Sequence, residues 1–317
     1  MKFALIGAAG YIAPRHMKAI AENGGEVIAA MDPYDGVGIM DSHFPKASFF
    51  TEFERFDRHL EKLKRAGTPI DFLSVCSPNY LHDAHIRFGL RSGMKVICEK
   101  PIVLNPWNLD GLVELTDGEP NAVNTILQLR LHPAVQELKK KVESSTQRHK
   151  VKLTYITSRG MWYHSSWKGE MSKSGGVITN IGVHFFDMLS WIFGKPIEND
   201  IHQRNFDRAS GFLQFEKADV SWFLSINSDT LPKSAIEKGQ RTFRTLTIDG
   251  DELDMSAGFE DLHTASYREI LKGNGFDLNE SKRAIEITHA LRTQPLSPKS
   301  GTEHPFSHLP EKEHPFL

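Results

Sequence analysis

The sequence predicts an α/β fold in two domains: a parallel sheet with helices on both faces, then an α+β domain built on a large, mostly antiparallel open sheet. Three observations carry this. Short apolar runs alternate with helical patterns through residue 122, the order that builds a parallel sheet. The segments that follow are longer and alternate apolar with polar residues, as half-solvated antiparallel strands do. A glycine turn, "GAAGYIA", joins the first apolar run to the first helical pattern.

In chain order, "KFALIG" reads as a strand and "PRHMKAIAENG" as a helix with Pro14 near its start and Gly24 at its end, positions that suit each residue's backbone. "EVIAAMD", "DFLSVCSP" and "MKVICEKP" are further strands; "TEFERFDRHLEKLKRAG", "LHDAHIRFGLRSG" and "NPWNLDGLVELT" are amphipathic helices between and after them. "AVNTILQLR" is a candidate last strand of this sheet. "HKVKLTYITSRG", "SGFLQFEKADVSWFLSIN" and "RTFRTLTIDGDELDMS" supply the second sheet, and "GVHFFDMLSWIFG" interrupts them as a helix. Helices close the pattern with "LHTASYREILKG" and "NESKRAIEITHALRT", and the Pro-, His- and Ser-rich tail from Pro295 reads as a surface segment or subunit arm. The domains are then 1–122 and 123–317.

At 317 residues, 39% hydrophobic and 25% charged, with a formal net charge of -2, the chain has the composition of a globular protein. It lacks the basic field that would draw it to nucleic acid or an anionic membrane. Its two cysteines, Cys76 and Cys98, sit in apolar runs and read as reduced buried thiols; they are too few for a structural zinc cluster, and no metal is expected. No apolar run approaches the roughly 20 residues of a membrane span. The expected location is the cytoplasm.

Gly7, Gly10 and Ala13 give G-x-x-G-x-x-A spacing, one residue longer in its first interval than the dinucleotide fingerprint. A strand-to-helix turn without bulky side chains lets a pyrophosphate reach backbone N–H groups at a helix N-terminus. Asp32, ending the second strand, would accept from a ribose 2′-hydroxyl and repel a 2′-phosphate. The first domain therefore reads as a Rossmann domain binding NAD rather than NADP, with Gly7, Ala9, Gly10, Tyr11, Ile12 and Asp32 at the cofactor. The fourth such strand ends in "CEKP", where Glu99 and Lys100 are either an ordinary surface ion pair or groups facing the crevice at the strand ends. Pro101 makes the turn rigid, and a cis bond is one way to form it.

In the second domain, "SGGVITNIGVHFFDML" spaces Asn180, His184 and Asp187 at four and three residues, on one face of a helix. Gly175 and Gly176 allow a sharp entry. Taken by itself, His184 is also consistent with a structural core histidine. "TSRGMWYHSSWKG" offers Arg159, Tyr163 and Lys168 for anion recognition, or simply exposed loop charges.

"CEKP" together with GG-x-x-x-N-x-G-x-H-x-x-D resembles the glucose–fructose oxidoreductase/inositol dehydrogenase (Gfo/Idh/MocA) superfamily, over essentially the whole chain to residue 293. Asn180 stands where that pattern usually has aspartate, which favours a substrate-contacting amide there. "SVCSPNYLHDAHI", "NTILQLRLHP" and "YITSRGMWYHSSWKG" are similar to the UDP-N-acetylglucosamine-uronate 3-dehydrogenases of bacterial lipopolysaccharide and O-antigen synthesis. The resemblance implies oxidation of the sugar C3 hydroxyl to a ketone, a downstream aminotransferase, NADH recycling by 2-oxoglutarate in some members, and a homotetramer. It implies that Ser77, Pro78, Asn79, His82, Glu99 and Lys100 border the cofactor. Lys100, Arg159, Tyr163, Lys168, Asn180, His184 and Thr264 would contact substrate, with His263 beside Thr264 at a helix start. Lys100 and His184 are the two candidates for the base, with the roles open. A dehydrogenase of another sugar or polyol, and a non-catalytic NAD-binding sensor, are the competing readings.

Overall fold

The structure is a computed structural model that describes residues 1–253, 261–298 and 300–316. The chain divides into two compact units, Met1–Leu131 with Gly258–Lys282, and His132–Ala257 with Arg283–Leu317.

The first unit begins with β1 (Lys2–Ile6), α1 (Ala13–Glu22), β2 (Glu26–Met31), α2 (Val37–His43), β3 (Ser48–Phe50) and α3 (Phe53–Arg65). It continues through β4 (Phe72–Val75), α4 (His82–Arg91), β5 (Lys95–Cys98), α5 (Pro106–Leu115) and β6 (Val123–Thr125). The strands lie in the order β3-β2-β1-β4-β5-β6 and all pair in parallel. The order turns around β1, so β1 and β4 open a crevice at their C-terminal ends, the usual ligand position in such sheets. β4 is buried along its whole length and β5 at all but its first residue, which is why both read as continuous apolar runs.

The second unit contains α6 (Pro133–Glu143), β7 (His149–Thr157), α7 (Trp162–Ser165), α8 (Met171–Ser174), α9 (Gly176–Asn180) and α10 (Val183–Phe193). β8 (Pro196–Arg204), β9 (Arg208–Phe215), β10 (Ala218–Ser225), α11 (Lys233–Glu237), β11 (Thr242–Ile248) and β12 (Asp251–Glu252) follow. Its sheet runs β12-β11-β7-β10-β9-β8, antiparallel except for the parallel pair β7 and β10. Trp222 of β10, fully buried, meets the Phe186 ring of α10 edge-on at 5.1 Å. That contact seats α10 on the sheet. Residues 254–256 of the predicted third segment lie outside the described residues.

The last helices are α12 (Leu262–Leu271) and α13 (Leu278–Thr293). α12 packs on α1, so one cut after residue 122 does not describe the chain: β6 completes the first sheet, and residues 258–282 rejoin the first unit. Two strands escape the sequence reading for one reason. Neither carries an apolar pattern: β3 is three half-buried residues, and β8 is buried only at Ile201 and Gln203, starts on Pro196 and is irregular against β9 at two points. The tail packs on the unit's own sheet: His304 stacks on Phe223 at 5.7 Å, and Phe306 meets the same ring edge-on at 5.6 Å.

Candidate active site

The glycine turn forms as its spacing requires. Gly7 has φ 85°, and a Cβ there would stand 2.5 Å from the carbonyl carbon of Cys76. Only glycine lets the turn pass against the end of β4. The N–H of Gly7 donates to Met31 O at 2.8 Å, and that of Gly10 to Gly7 O at 3.0 Å. Asp32 braces the turn as well as ending β2: it accepts the N–H of Ala9 at 3.0 Å and of Tyr34 at 2.9 Å. No side chain caps α1 at Ile12, and among the described residues no acceptor meets the N–H of Tyr11 or Ile12. Two amides at a helix N-terminus are thus open to a pyrophosphate, which is the fit NAD requires.

The loops after β4 and β5 are tied together. The His82 ring nitrogens lie 2.7 Å from Pro101 O and 2.8 Å from Ser77 O. Burial holds its pKa below the ordinary histidine value, against the raising effect of these carbonyls. His82, expected at the cofactor, therefore links the two loops that would border it. Ser77 Oγ lies 2.8 Å from Nδ1 of His85, whose pKa burial lowers to about 4. Pro78 leads into a single turn over Asn79–Leu81, with Asn79 buried. Lys100 is half-buried, and its bond to Pro101 is cis.

Glu99 is buried beneath this loop. Its Oε1 accepts from His16 Nε2 and His263 Nε2, both at 2.9 Å, and its Oε2 from the Lys100 N–H at 3.2 Å. Burial opposes its ionisation, but the two histidine hydrogen bonds prevail and hold the carboxyl well below the usual range. Sequence reasoning missed His16, since a histidine on a buried helix face carries no local signal. Thr264, expected at the substrate, is buried and donates its hydroxyl to Glu22 at 2.7 Å, which makes it a packing contact between α12 and α1.

In the second unit the helix expected to carry Asn180 and His184 together is broken. Asn180 ends α9 and His184 lies in the first turn of α10, after a bend of 45°. Gly182 sits at the break, where a Cβ would stand 2.3 Å from Ile178 O and 2.6 Å from the Phe186 ring, so the bent backbone admits only glycine there. Gly182→Ala should cost about 1–3 kcal/mol of stability, as overpacking does, read as a lower denaturation midpoint at unchanged m-value. Asn180 Nδ2 donates to the Tyr163 hydroxyl at 2.8 Å, and Tyr163 is 2% exposed. Burial pushes the phenol pKa up, against the Asn180 bond and the Arg159 charge. Lys168 Nζ sits over the Trp167 ring at 4.4 Å, Arg159 is exposed, and His184 is half-buried with Asp187 buried one turn on.

Comparison with known proteins accords with this architecture. The family model described as "Oxidoreductase family, NAD-binding Rossmann fold" matches residues 1–125, and "Oxidoreductase family, C-terminal alpha/beta domain" matches 148–240. The WlbA (WbpB) dehydrogenase from Thermus thermophilus has structures with NAD and UDP-GlcNAcA and with NAD and alpha-ketoglutarate. It is 47% identical at a TM-score of 0.92, covering 96% of this chain and 99% of that one. The WlbA dehydrogenase from Bordetella pertussis shares the fold, at 19% identity and a TM-score of 0.74 over 94% of this chain and 98% of that one. Among curated proteins, the inositol 2-dehydrogenase of Rhizobium meliloti is 23% identical over 196 residues, 62% of this chain and 56% of its own length. The D-glucoside 3-dehydrogenase of Escherichia coli is 23% identical over 145 residues, 44% of this chain and 40% of its own. The chain thus spans about half the length of the curated relatives it matches. With both family domains matched in order and a 47% identical relative aligned over nearly its full length, the chain belongs to the Gfo/Idh/MocA family of oxidoreductases, enzymes with an NAD-binding Rossmann domain ahead of a C-terminal α/β domain.

Proposed function

We propose that this protein oxidises the C3 hydroxyl of UDP-N-acetyl-D-glucosaminuronic acid to the 3-keto sugar with NAD as acceptor. The observation that carries the reading is the 47% identity, over 96% of the chain, to a dehydrogenase solved with NAD and UDP-GlcNAcA. The same relative's complex with NAD and alpha-ketoglutarate supports recycling of NADH by 2-oxoglutarate. The reading includes a cytoplasmic homotetramer in surface-polysaccharide (lipopolysaccharide/O-antigen) synthesis whose keto product passes to an aminotransferase. Among the described residues no single helix is long and apolar enough to cross a membrane; the bent pair Met171–Asn180 and Val183–Phe193 passes that test only jointly, and α10 is almost wholly buried.

NAD, when bound, supplies the hydride acceptor. The chain's own residues do the rest. Gly7, Ala9, Gly10, Tyr11, Ile12 and Asp32 hold the dinucleotide, with Ser77, Pro78 and Asn79 at its edge. The C3–H bond breaks as the hydroxyl proton leaves, so a positioned base must take that proton. His184 takes it, and Lys100 hydrogen-bonds the same oxygen and stabilises its developing charge. The reverse assignment is distinguished by the pH profiles of the two variants discussed below. Tyr163 and Asn180, already bonded to each other, present a fixed polar pair to the sugar. Arg159 and Lys168 recognise the uronate and the pyrophosphate.

The purified protein, given UDP-GlcNAcA with and without 2-oxoglutarate, should form the 3-keto sugar. NADH formed only from free sugars or polyols would instead support an inositol- or glucoside-type dehydrogenase, the activities named for the curated relatives. No turnover of any sugar would support a sensor. Arg159→Met and Lys168→Met should lower the preference for UDP-GlcNAcA over UDP-GlcNAc by about 10-fold each, the scale of a lost charged contact; unchanged discrimination removes them from the substrate site.

A further inference from the structure

Five buried side chains from α1, β4, the end of β5 and α12 form one hydrogen-bonded chain in the first unit. Besides the three bonds to Glu99, His16 Nδ1 lies 2.8 Å from the Tyr267 hydroxyl, which lies 2.8 Å from Ser74 Oγ. All five residues are at most 6% exposed. The proton positions follow from chemistry. An ionised Glu99 has none to give, so both Nε2 atoms donate to it. Burial keeps the His16 pKa below its ordinary value against the pull of Glu99, so its Nδ1 carries no proton and accepts from Tyr267. With that proton committed, Ser74 must donate to Tyr267. The chain runs Ser74 to Tyr267 to His16 to Glu99, with His263 arriving from the other side, and each donor polarises the next toward the carboxylate.

The His16, Glu99 and His263 atoms also lie close enough together to raise the question of a metal. Their 2.9 Å nitrogen–oxygen separations are hydrogen-bond distances; ligands about 2.1 Å from a tetrahedral ion stand roughly 3.4 Å apart. The network is protonic.

We propose that Glu99 is a positioning residue for Lys100, its carboxylate locked by a two-histidine clamp so that its second oxygen holds the Lys100 backbone N–H and its charge biases the Lys100 ammonium. The proposal rests on the reading that Lys100 acts on the substrate. It brings α12 into the reaction machinery, because His263 and Tyr267 carry the clamp although they lie 164 and 168 residues beyond Glu99 in the sequence. The titratable groups facing Glu99 are His16 from α1, His263 and Tyr267 from α12, Cys76 after β4, Cys98 on β5 and His82 on α4, with Lys100 beside it. A fixed anion beside Lys100 favours its cationic form. Removing that charge therefore moves the Lys100 limb of the pH–kcat profile to lower pH.

The test compares Glu99→Gln and Tyr267→Phe with the wild type in NAD binding, melting temperature, KM, kcat and pH–kcat profile, using whichever sugar the wild type oxidises. Glu99→Gln should keep NAD affinity and KM within about threefold and lose about 100-fold in kcat, the scale of a small misplacement of a reacting group, with the limb shifted down. Tyr267→Phe should lose about 10-fold in kcat by the same route. A fall in kcat only in step with lost folded protein or lost NAD affinity, with the limb unmoved, overturns the proposal. Histidine ¹⁵N spectra of the NAD-bound protein need no substrate: a neutral, Nε2-protonated His16 supports the clamp, and an Nδ1-protonated or metal-bound ring overturns it. Turnover of a sugar other than UDP-GlcNAcA overturns the substrate reading and leaves the clamp to its own test; turnover of none removes both.

Discussion

Lys100→Met and His184→Asn should each lower kcat by about 10²–10⁴-fold, the range for loss of a proton-transferring or charge-stabilising group, while NAD affinity should stay within about threefold of the wild type. Lys100 leaves the end of β5 half-buried, above an anion that fixes its backbone. His184 opens α10 just after the bend at Gly182. Neither belongs to the glycine turn or Asp32, the residues proposed to hold the dinucleotide. NADH absorbance gives turnover, and equilibrium titration gives the cofactor constant. The variant lacking the base loses the acidic limb of its pH–kcat profile; the other keeps it. If either variant retains full activity, that residue leaves the mechanism. The double variant should be little worse than the poorer single one, because groups acting on one proton are not additive.

Acid should release the C-terminal tail from the second unit's sheet before the protein unfolds. The His304 ring is 1% exposed. Its Nδ1 accepts the Phe306 N–H at 3.1 Å, so its proton is on Nε2, 3.0 Å from Thr154 Oγ1. A second proton would displace the Phe306 bond. Burial, with the Lys152 charge as the lesser cause, lowers its pKa to about 3. A detached histidine has a pKa of about 6.5. Between these values the detached tail binds a proton that the docked tail excludes, so docking is fully stable above about pH 6.5 and weakens as pH falls toward 3, by up to about 1.4 kcal/mol per pH unit. Beyond His304 the tail is held by Arg208 on Pro310 O at 2.8 Å, Gln203 on Glu311 at 2.6 Å, the Lys312–Asp229 ion pair and the His314 ring against His164 and Phe206, so the opening centred on His304 is local. Amide exchange over residues 300–316 should accelerate on going from about pH 7 to about pH 4.5, after correction for intrinsic rates, and His304→Phe should abolish the difference. Equal protection at both pH values, or the same slope in the variant, refutes this.

The sequence by itself determined the parallel sheet, the glycine turn with Asp32, the charged end of β5 and the small-residue approach to His184, because each is written in neighbouring residues. Buried strands read as apolar runs; a turn that must meet backbone needs glycine. The four-and-three spacing that promised one helical face failed because the chain bends between Asn180 and Val183, at a Gly182 where Ile178 O and the Phe186 ring leave no room for a Cβ. β3 and β8 were invisible because so few of their residues are buried that no apolar pattern forms. Only the folded chain shows that residues 261–282 return to the first unit and that Glu99 is held in a buried clamp. Its partners lie 83 and 164 residues away, and His16 and Tyr267 lie 251 apart. A hydrogen bond of that span leaves no periodicity in the chain; it exists only once α12 has folded back against α1.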